Sequence, residues 1–103
     1  MIFKRRYADL VARQLDLFER DHAGLIGDCE AAERAYDRAP REEAEERYGD
    51  YADLVRTGTD LLAELRDNYA ATLDEDAAEE YEAAFNRAVA KRLPRFALEI
   101  EEA

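Results

Sequence analysis

The chain has 103 residues, 26 of them acidic and 15 basic, and its formal net charge is −11. A chain of this length forms one domain, residues 1–103, and its acidity argues against nucleic acid or anionic lipid as partners, because both require a basic surface. No apolar run is long enough to span a membrane, and none follows Met1–Phe3 as in a signal peptide, so we expect a cytoplasmic protein with no membrane contact.

The basic residues are strongly skewed, with thirteen arginines and only two lysines. High acidity with little lysine and much alanine is typical of proteins from extreme halophiles, where salt screens the self-repulsion of a charged chain. The alternative is a GC-rich genome that favours arginine and alanine codons. We favour the halophilic interpretation, in which much of the acidity keeps the protein in solution rather than binding a ligand.

The first predicted helix runs from about residue 4 to residue 38, with apolar residues recurring every three or four positions along one face. Gly24 and Gly27 weaken it, since glycine within a helix costs about 1 kcal/mol relative to alanine. The helix either bends or breaks near Ala23–Gly24, or the glycines let another backbone approach closely. In a hairpin that turns at Pro40, Gly24 lies near Gly58, and we favour this close packing.

The second predicted helix covers residues 41–72 and the third covers residues 75–93. Pro40 ends the first helix and suits the start of the second. Thr72 and Glu75 have the spacing of a capping box, and Asp74 is an equally good N-cap for the third helix.

These elements predict an all-α fold, an antiparallel three-helix bundle made of a long helical hairpin about Pro40 and a shorter third helix. The third helix is long enough to cover about half of the groove of the hairpin. Apolar surface should therefore stay exposed at one end of the bundle, either the end that holds Tyr7 to Phe18 or the opposite one.

The tail, residues 94–103, carries two competing signals after Pro94. Phe96, Leu98 and Ile100 alternate with other residues at the period of a strand. Alanine, leucine and glutamate favour instead a short fourth helix with Pro94 in its first turn. The sequence leaves both alternatives open.

Glu19 and His22 stand three residues apart, a spacing that resembles the Glu-x-x-His ligand pair of ferritin-like carboxylate-bridged metal proteins. The resemblance implies a divalent transition metal, with Asp60 or Glu64 as an added ligand. Such sites use two histidines and this chain has one, so only a dimer would complete the set. The alternative is that His22 has a structural role and binds no metal.

Cys29, the only cysteine, should pack as a small apolar residue.

A second acidic pattern consists of Glu42–Glu46 and, further along, Glu64–Asp67. It is similar to the magnesium-binding motif of the all-α nucleoside triphosphate pyrophosphohydrolases, which implies an enzyme that gathers both halves around Mg²⁺. No helix breaker separates the two halves here. On one helix they lie roughly 27–30 Å apart, too far to share a metal ion.

We therefore expect a non-enzymatic, self-associating interaction module that has no cofactor, with a homodimer or another protein as its partner. No serine is present, so no serine nucleophile is available. The candidate interface residues are apolar side chains near the start of the first helix and in the tail: Tyr7, Leu10, Leu17, Phe18, Phe96, Leu98 and Ile100.

Overall fold

The computed structural model describes residues 6–97, and this part of the chain is all-helical, as predicted. It contains four α-helices and, after the last of them, a 3₁₀ turn. They are α1 (Ala8–Asp21), α2 (Ala23–Arg38), α3 (Arg41–Ala70), α4 (Glu75–Arg92) and the turn Pro94–Phe96. The predicted helix start at residues 4 and 5, and the tail beyond Ala97, lie outside the described residues.

The continuous first helix was the wrong prediction, because the backbone leaves the α-helical conformation at His22. His22 has φ −118° and ψ 28°, and it separates α1 from α2. Its N–H still donates to the Phe18 carbonyl at 2.9 Å, and its own carbonyl accepts from Ile26 at 3.0 Å, so the chain bends with these two bonds intact. Gly24, just beyond the bend, has a low helix propensity, so a departure from the helical conformation costs less free energy here.

The predicted close packing at Gly24 is also wrong. Gly24 is exposed, and a Cβ atom built on it would have no other atom within 4 Å. The close approach occurs at Gly58 alone, where the approaching group is the Phe96 ring and not the backbone of the first helix. A Cβ atom on Gly58 would lie 2.8 Å from the Cζ of Phe96, closer than van der Waals contact allows.

The molecule is elongated, measuring 51 × 23 × 23 Å, and α3 is the longest of its described helices. Helices α3 and α4 run in opposite directions, since Arg66 hydrogen-bonds Asn86 while Gly58, earlier in α3, meets Phe96, beyond α4. The short connection through Pro40 returns α3 alongside α2. None of the helices in residues 6–97 combines the length and apolar character that a membrane crossing requires.

Helices α1 and α4 run in the same direction. Tyr7 and Tyr81, near the middle of α4, are in edge-to-face contact with ring centroids 5.6 Å apart, while Arg92, at the end of α4, contacts Asp16. Helix α4 therefore covers the end of the molecule that holds Tyr7 to Phe18, and the opposite end, formed by α2 and the first half of α3, is left open.

The core lies where α1, α3 and α4 meet, and Cys29 of α2 extends it. Cys29 is fully buried, as predicted, and burial raises the pKa of its thiol. The remaining buried apolar side chains in this cluster are Tyr7, Val11, Leu15, Phe18, Leu62, Ala70, Tyr81, Phe85, Val89 and Phe96.

The N-terminus of α4 is capped by Asp74, one of the two predicted alternatives. Its Oδ1 accepts a hydrogen bond from the Ala77 N–H at 2.9 Å, which satisfies one of the free donors of the first turn. Thr72 does not cap α4, because its hydroxyl donates instead to the Tyr69 carbonyl at 2.7 Å.

Tyr81 is fully buried, and its hydroxyl donates to Gln14 Oε1 at 2.8 Å. Desolvation raises its pKa from 10 to about 12, although the bond to Gln14 opposes this.

The stabilisation that comes from the neutral phenol of Tyr81 is complete below pH 10. It is lost as the pH rises towards 12, because the unfolded chain ionises first. We expect stability to fall by about 1.4 kcal/mol per pH unit in that window, measured by urea unfolding. Tyr81→Phe should reduce this slope; an unchanged slope would contradict the assignment.

Candidate interaction surfaces

An open apolar groove of about 650 Å³ runs between α1 and α4. Six small or branched apolar residues form its floor. They are Ala8, Val11, Ala12 and Leu15 of α1, and Ala84 and Ala88 of α4. Ala8 and Ala12 are exposed, and alanines at these positions leave room for another helix to approach closely. We call this surface the α1–α4 groove.

The two margins of the α1–α4 groove differ in charge. Arg87 and Lys91 line the α4 side, and neither forms an ion pair with any residue in the described part of the chain. Arg92, at the end of the groove, is bound to α1: its Nη2 donates to Glu19 Oε1 at 2.8 Å and contacts Asp16. These two carboxylates raise the pKa of the Arg92 guanidinium. The groove is thus closed by an ion-pair cluster at one end, with two available cations along it.

The second exposed surface lies on the open end of the α2–α3 hairpin, where Tyr36 is 40 % and Tyr48 is 54 % exposed. Their rings are in edge-to-face contact, with centroids 5.5 Å apart, and Tyr48 in turn lies 6.4 Å from the Tyr51 ring. Burial raises the pKa of the half-buried Tyr51. We call the three residues the tyrosine cluster. The sequence predicted uncovered surface at one end of the bundle but did not single out these side chains.

The structure divides the predicted interface residues into two groups. Tyr7, Phe18 and Phe96 are buried in the chain's own core, so they do not offer a surface to a partner in this fold. Leu10 is half-buried and Leu17 is 44 % exposed. The other two candidates, Leu98 and Ile100, lie outside the described residues.

The strand alternative for the tail is wrong at Phe96, because Pro94–Phe96 form a 3₁₀ turn and Ala97 has helical backbone angles. Pro94 occupies the first position of this turn, where its missing N–H is not needed. The short-helix alternative was therefore closer to the observed structure over Pro94–Ala97.

The predicted metal ligands contact different side chains and do not converge on one point. Glu19 is bound by Arg92, while His22 packs on the Phe18 ring with centroids 4.9 Å apart. His22 lines a pocket that includes Glu64 but not Asp60, which is exposed. Across residues 6–97, no three His, Cys, Asp or Glu side chains gather in a way that suits a metal ion. A site shared between two chains stays a prediction, which elemental analysis of natively purified protein tests.

The two halves of the triphosphate-type motif lie on a single helix, since α3 extends without interruption from Arg41 to Ala70. Glu42–Glu46 occupy its first turns and Glu64–Asp67 its last, with about five helical turns between them. One chain therefore cannot bring the two halves around the same Mg²⁺ ion.

No protein-family model, curated protein or solved structure matches the chain. The α1–α4 groove and the tyrosine cluster are therefore the surfaces from which function can be inferred. They differ in kind, because the groove is apolar with charged margins while the tyrosine cluster is aromatic.

Proposed function

We propose that this protein is a non-enzymatic interaction module that self-associates through the α1–α4 groove. The observation that carries this proposal is the row of exposed and half-buried alanines along α1 and α4, an apolar surface on a chain in which 40 % of residues are charged. The bent α1–α2 unit, α3 and α4 would act together as an antiparallel three-helix bundle that presents this groove to a second copy.

A second copy suits the groove because the two margins carry opposite charges. Asp9 and Asp16 are exposed on α1, where Asp16 already pairs with Arg92, and Arg87 and Lys91 line the α4 side of the groove. Helices α1 and α4 run in the same direction, so a two-fold axis parallel to them sets α1 of each copy over α4 of the other. Each acidic margin then faces a basic one, which favours this register over alternatives that align like charges.

The dimensions of the groove predict a weak dimer. Helix α4 has 18 residues, which corresponds to a length of about 27 Å. Two adjacent helices are about 20 Å wide. The face therefore covers on the order of 500 Å² per copy, less than the roughly 800 Å² of a standard interface. We expect a dissociation constant near or above about 1 µM.

Replacing Ala12 with glutamate tests this interface directly. Ala12 is exposed on the groove floor, so Ala12→Glu should leave the monomer folded while it introduces a charge into each half of a two-fold interface. We expect dimerisation at least about tenfold weaker by sedimentation velocity, because the longer side chain fills the space in which the second copy packs closely on Ala12.

The matched control is Ala90→Glu, the same change at an exposed position of α4 that does not line the groove. It should dimerise as the native chain does. Equal effects of the two substitutions would show that added negative charge, and not the groove, governs association.

The acidity of the chain supports a role in a salt-rich cytoplasm. With a net charge of −11, two copies repel each other at low ionic strength, and salt screens that repulsion. Under this proposal both folding and dimerisation become more favourable as the potassium chloride concentration rises.

A further inference from the structure

The tyrosine cluster (Tyr36, Tyr48 and Tyr51) lies at the end of the molecule that α4 leaves open. Tyr36 and Tyr48 are two of the three large apolar side chains that are exposed in residues 6–97. We propose that the tyrosine cluster is a binding site for an arginine-bearing basic segment of a partner protein.

The chain itself shows how this surface holds a guanidinium group. Arg95, which follows α4, lies over the Tyr51 ring with its Cζ 5.7 Å from the ring centroid. Its Nη2 donates to Glu33 Oε1 at 2.7 Å, and its Nε donates to the Tyr51 hydroxyl at 3.3 Å. A tyrosine face combined with a carboxylate on the facing helix therefore already binds one arginine here.

A second combination of tyrosine rings and a carboxylate lies beside the one that binds Arg95. The Tyr48 ring contacts both the Tyr51 ring and the Tyr36 ring. No arginine or lysine in the described part of the chain stacks on the exposed rings of Tyr36 and Tyr48. Glu45, one helical turn before Tyr48 and on the same side of α3, is exposed and forms no ion pair with a described residue. Tyr48 and Glu45 thus offer an aromatic face beside a carboxylate that has no ion-pair partner among the described residues.

Charge favours a basic occupant over an acidic or neutral one. Residues 33–50 carry seven acidic and four basic side chains, within a chain whose net charge is −11. Arg47 is paired with Glu43 at 3.5 Å and Asp50 at 3.7 Å, and Glu33 is paired with Arg95. Four carboxylates and three arginines of this range form no ion pair with a described residue, which leaves a small acidic excess. Arginine suits the site better than lysine, because its planar guanidinium stacks on an aromatic ring while its N–H groups donate to carboxylates in the guanidinium's own plane.

The test measures binding of a fluorescent nonapeptide of alternating glycine and arginine by anisotropy, alongside a peptide with lysine in place of arginine. We expect Tyr48→Ala to weaken binding of the arginine peptide about tenfold, and Tyr48→Phe to retain most of it, because the ring face is the contact. The lysine peptide should bind several-fold more weakly to the native chain. Tyr48 is exposed, so circular dichroism should show unchanged folding in both variants.

Leu17→Ala is the matched control, since Leu17 is the third exposed large apolar residue in the described part of the chain and lies on α1, outside the tyrosine cluster. It should bind the peptide normally, as should Ala12→Glu, which separates this site from the α1–α4 groove. Equal affinity for the two peptides, or no effect of Tyr48→Ala, would overturn the proposal in favour of unspecific attraction to an acidic chain. If the arginine peptide dissociates self-associated protein, the occupant is instead a basic segment of another copy, and the assignment to a foreign partner is wrong.

Discussion

Replacing Phe96 with alanine should lower the free energy of unfolding by about 3–5 kcal/mol, a large part of the stability of a domain of this size. Phe96 is 2 % exposed although it lies beyond the last helix, and its ring stands edge-on to Phe18 with centroids 6.3 Å apart. The ring also fills the space above Gly58, and the backbone carbonyl of Phe96 accepts a bond from the Thr59 hydroxyl at 3.4 Å. Removing it leaves a cavity where the 3₁₀ turn joins α1 to α3.

Urea unfolding followed by circular dichroism gives this difference. The control is Tyr48→Ala, which truncates an aromatic side chain that is 54 % exposed and should change stability by no more than about 1 kcal/mol. Similar losses for the two variants would mean that the ring of Phe96 is not a core residue, and the fit of the turn against α3 would be wrong.

Alanine in place of glycine should have opposite effects at different glycines. At Gly58 the added Cβ atom meets the Phe96 ring, 2.8 Å from Cζ, and the resulting overpacking costs about 1–3 kcal/mol. The gain in helix propensity, about 1 kcal/mol, offsets only part of this loss. Gly27 and Gly49 are exposed in helices with nothing within 4 Å, so alanine there should stabilise the protein by up to about 1 kcal/mol.

A double-mutant cycle identifies the cause of the loss at Gly58. Phe96→Leu removes the ring atoms that clash, so Gly58→Ala should be much less unfavourable in the Phe96→Leu background, with a coupling of about 1 kcal/mol or more. Strictly additive effects, or stabilisation by Gly58→Ala alone, would show that Phe96 does not occupy this space.

The sequence predicted the helices well where local signals were strong. The apolar period and the capping residues located α3 and α4 to within two residues of their observed ends. An interruption near Gly24 was one of the two predicted alternatives, and it is observed at His22. It was not favoured, because the apolar stripe continues through this position and periodicity does not report one residue's φ and ψ. Gly24 was a valid warning of weak helix, but the fold uses it at a bend and not at a helix crossing.

The surfaces were harder to predict than the helices, for a physical reason. The candidate interface was chosen for large apolar side chains, and most of those described are needed for the core, as Phe18 and Phe96 are. The α1–α4 groove is formed largely by alanines such as Ala12 and Ala88, which carry too little apolar surface to mark a face in the sequence. The contacts of Phe96 with Gly58, and of Arg92 with Asp16, join distant segments that depend on the assembled fold.

The molar mass in solution, measured by light scattering after size exclusion, tests self-association through the α1–α4 groove most directly. It should be recorded at chain concentrations from about 1 µM to 1 mM, which bracket a weak interface. At about 1 M potassium chloride, where charges are screened beyond about 3 Å, we predict that the mass rises with concentration towards twice the 11.8 kDa of one chain. At about 0.1 M the rise should be smaller. A mass of 11.8 kDa for folded protein at every concentration in high salt would contradict the proposed dimer.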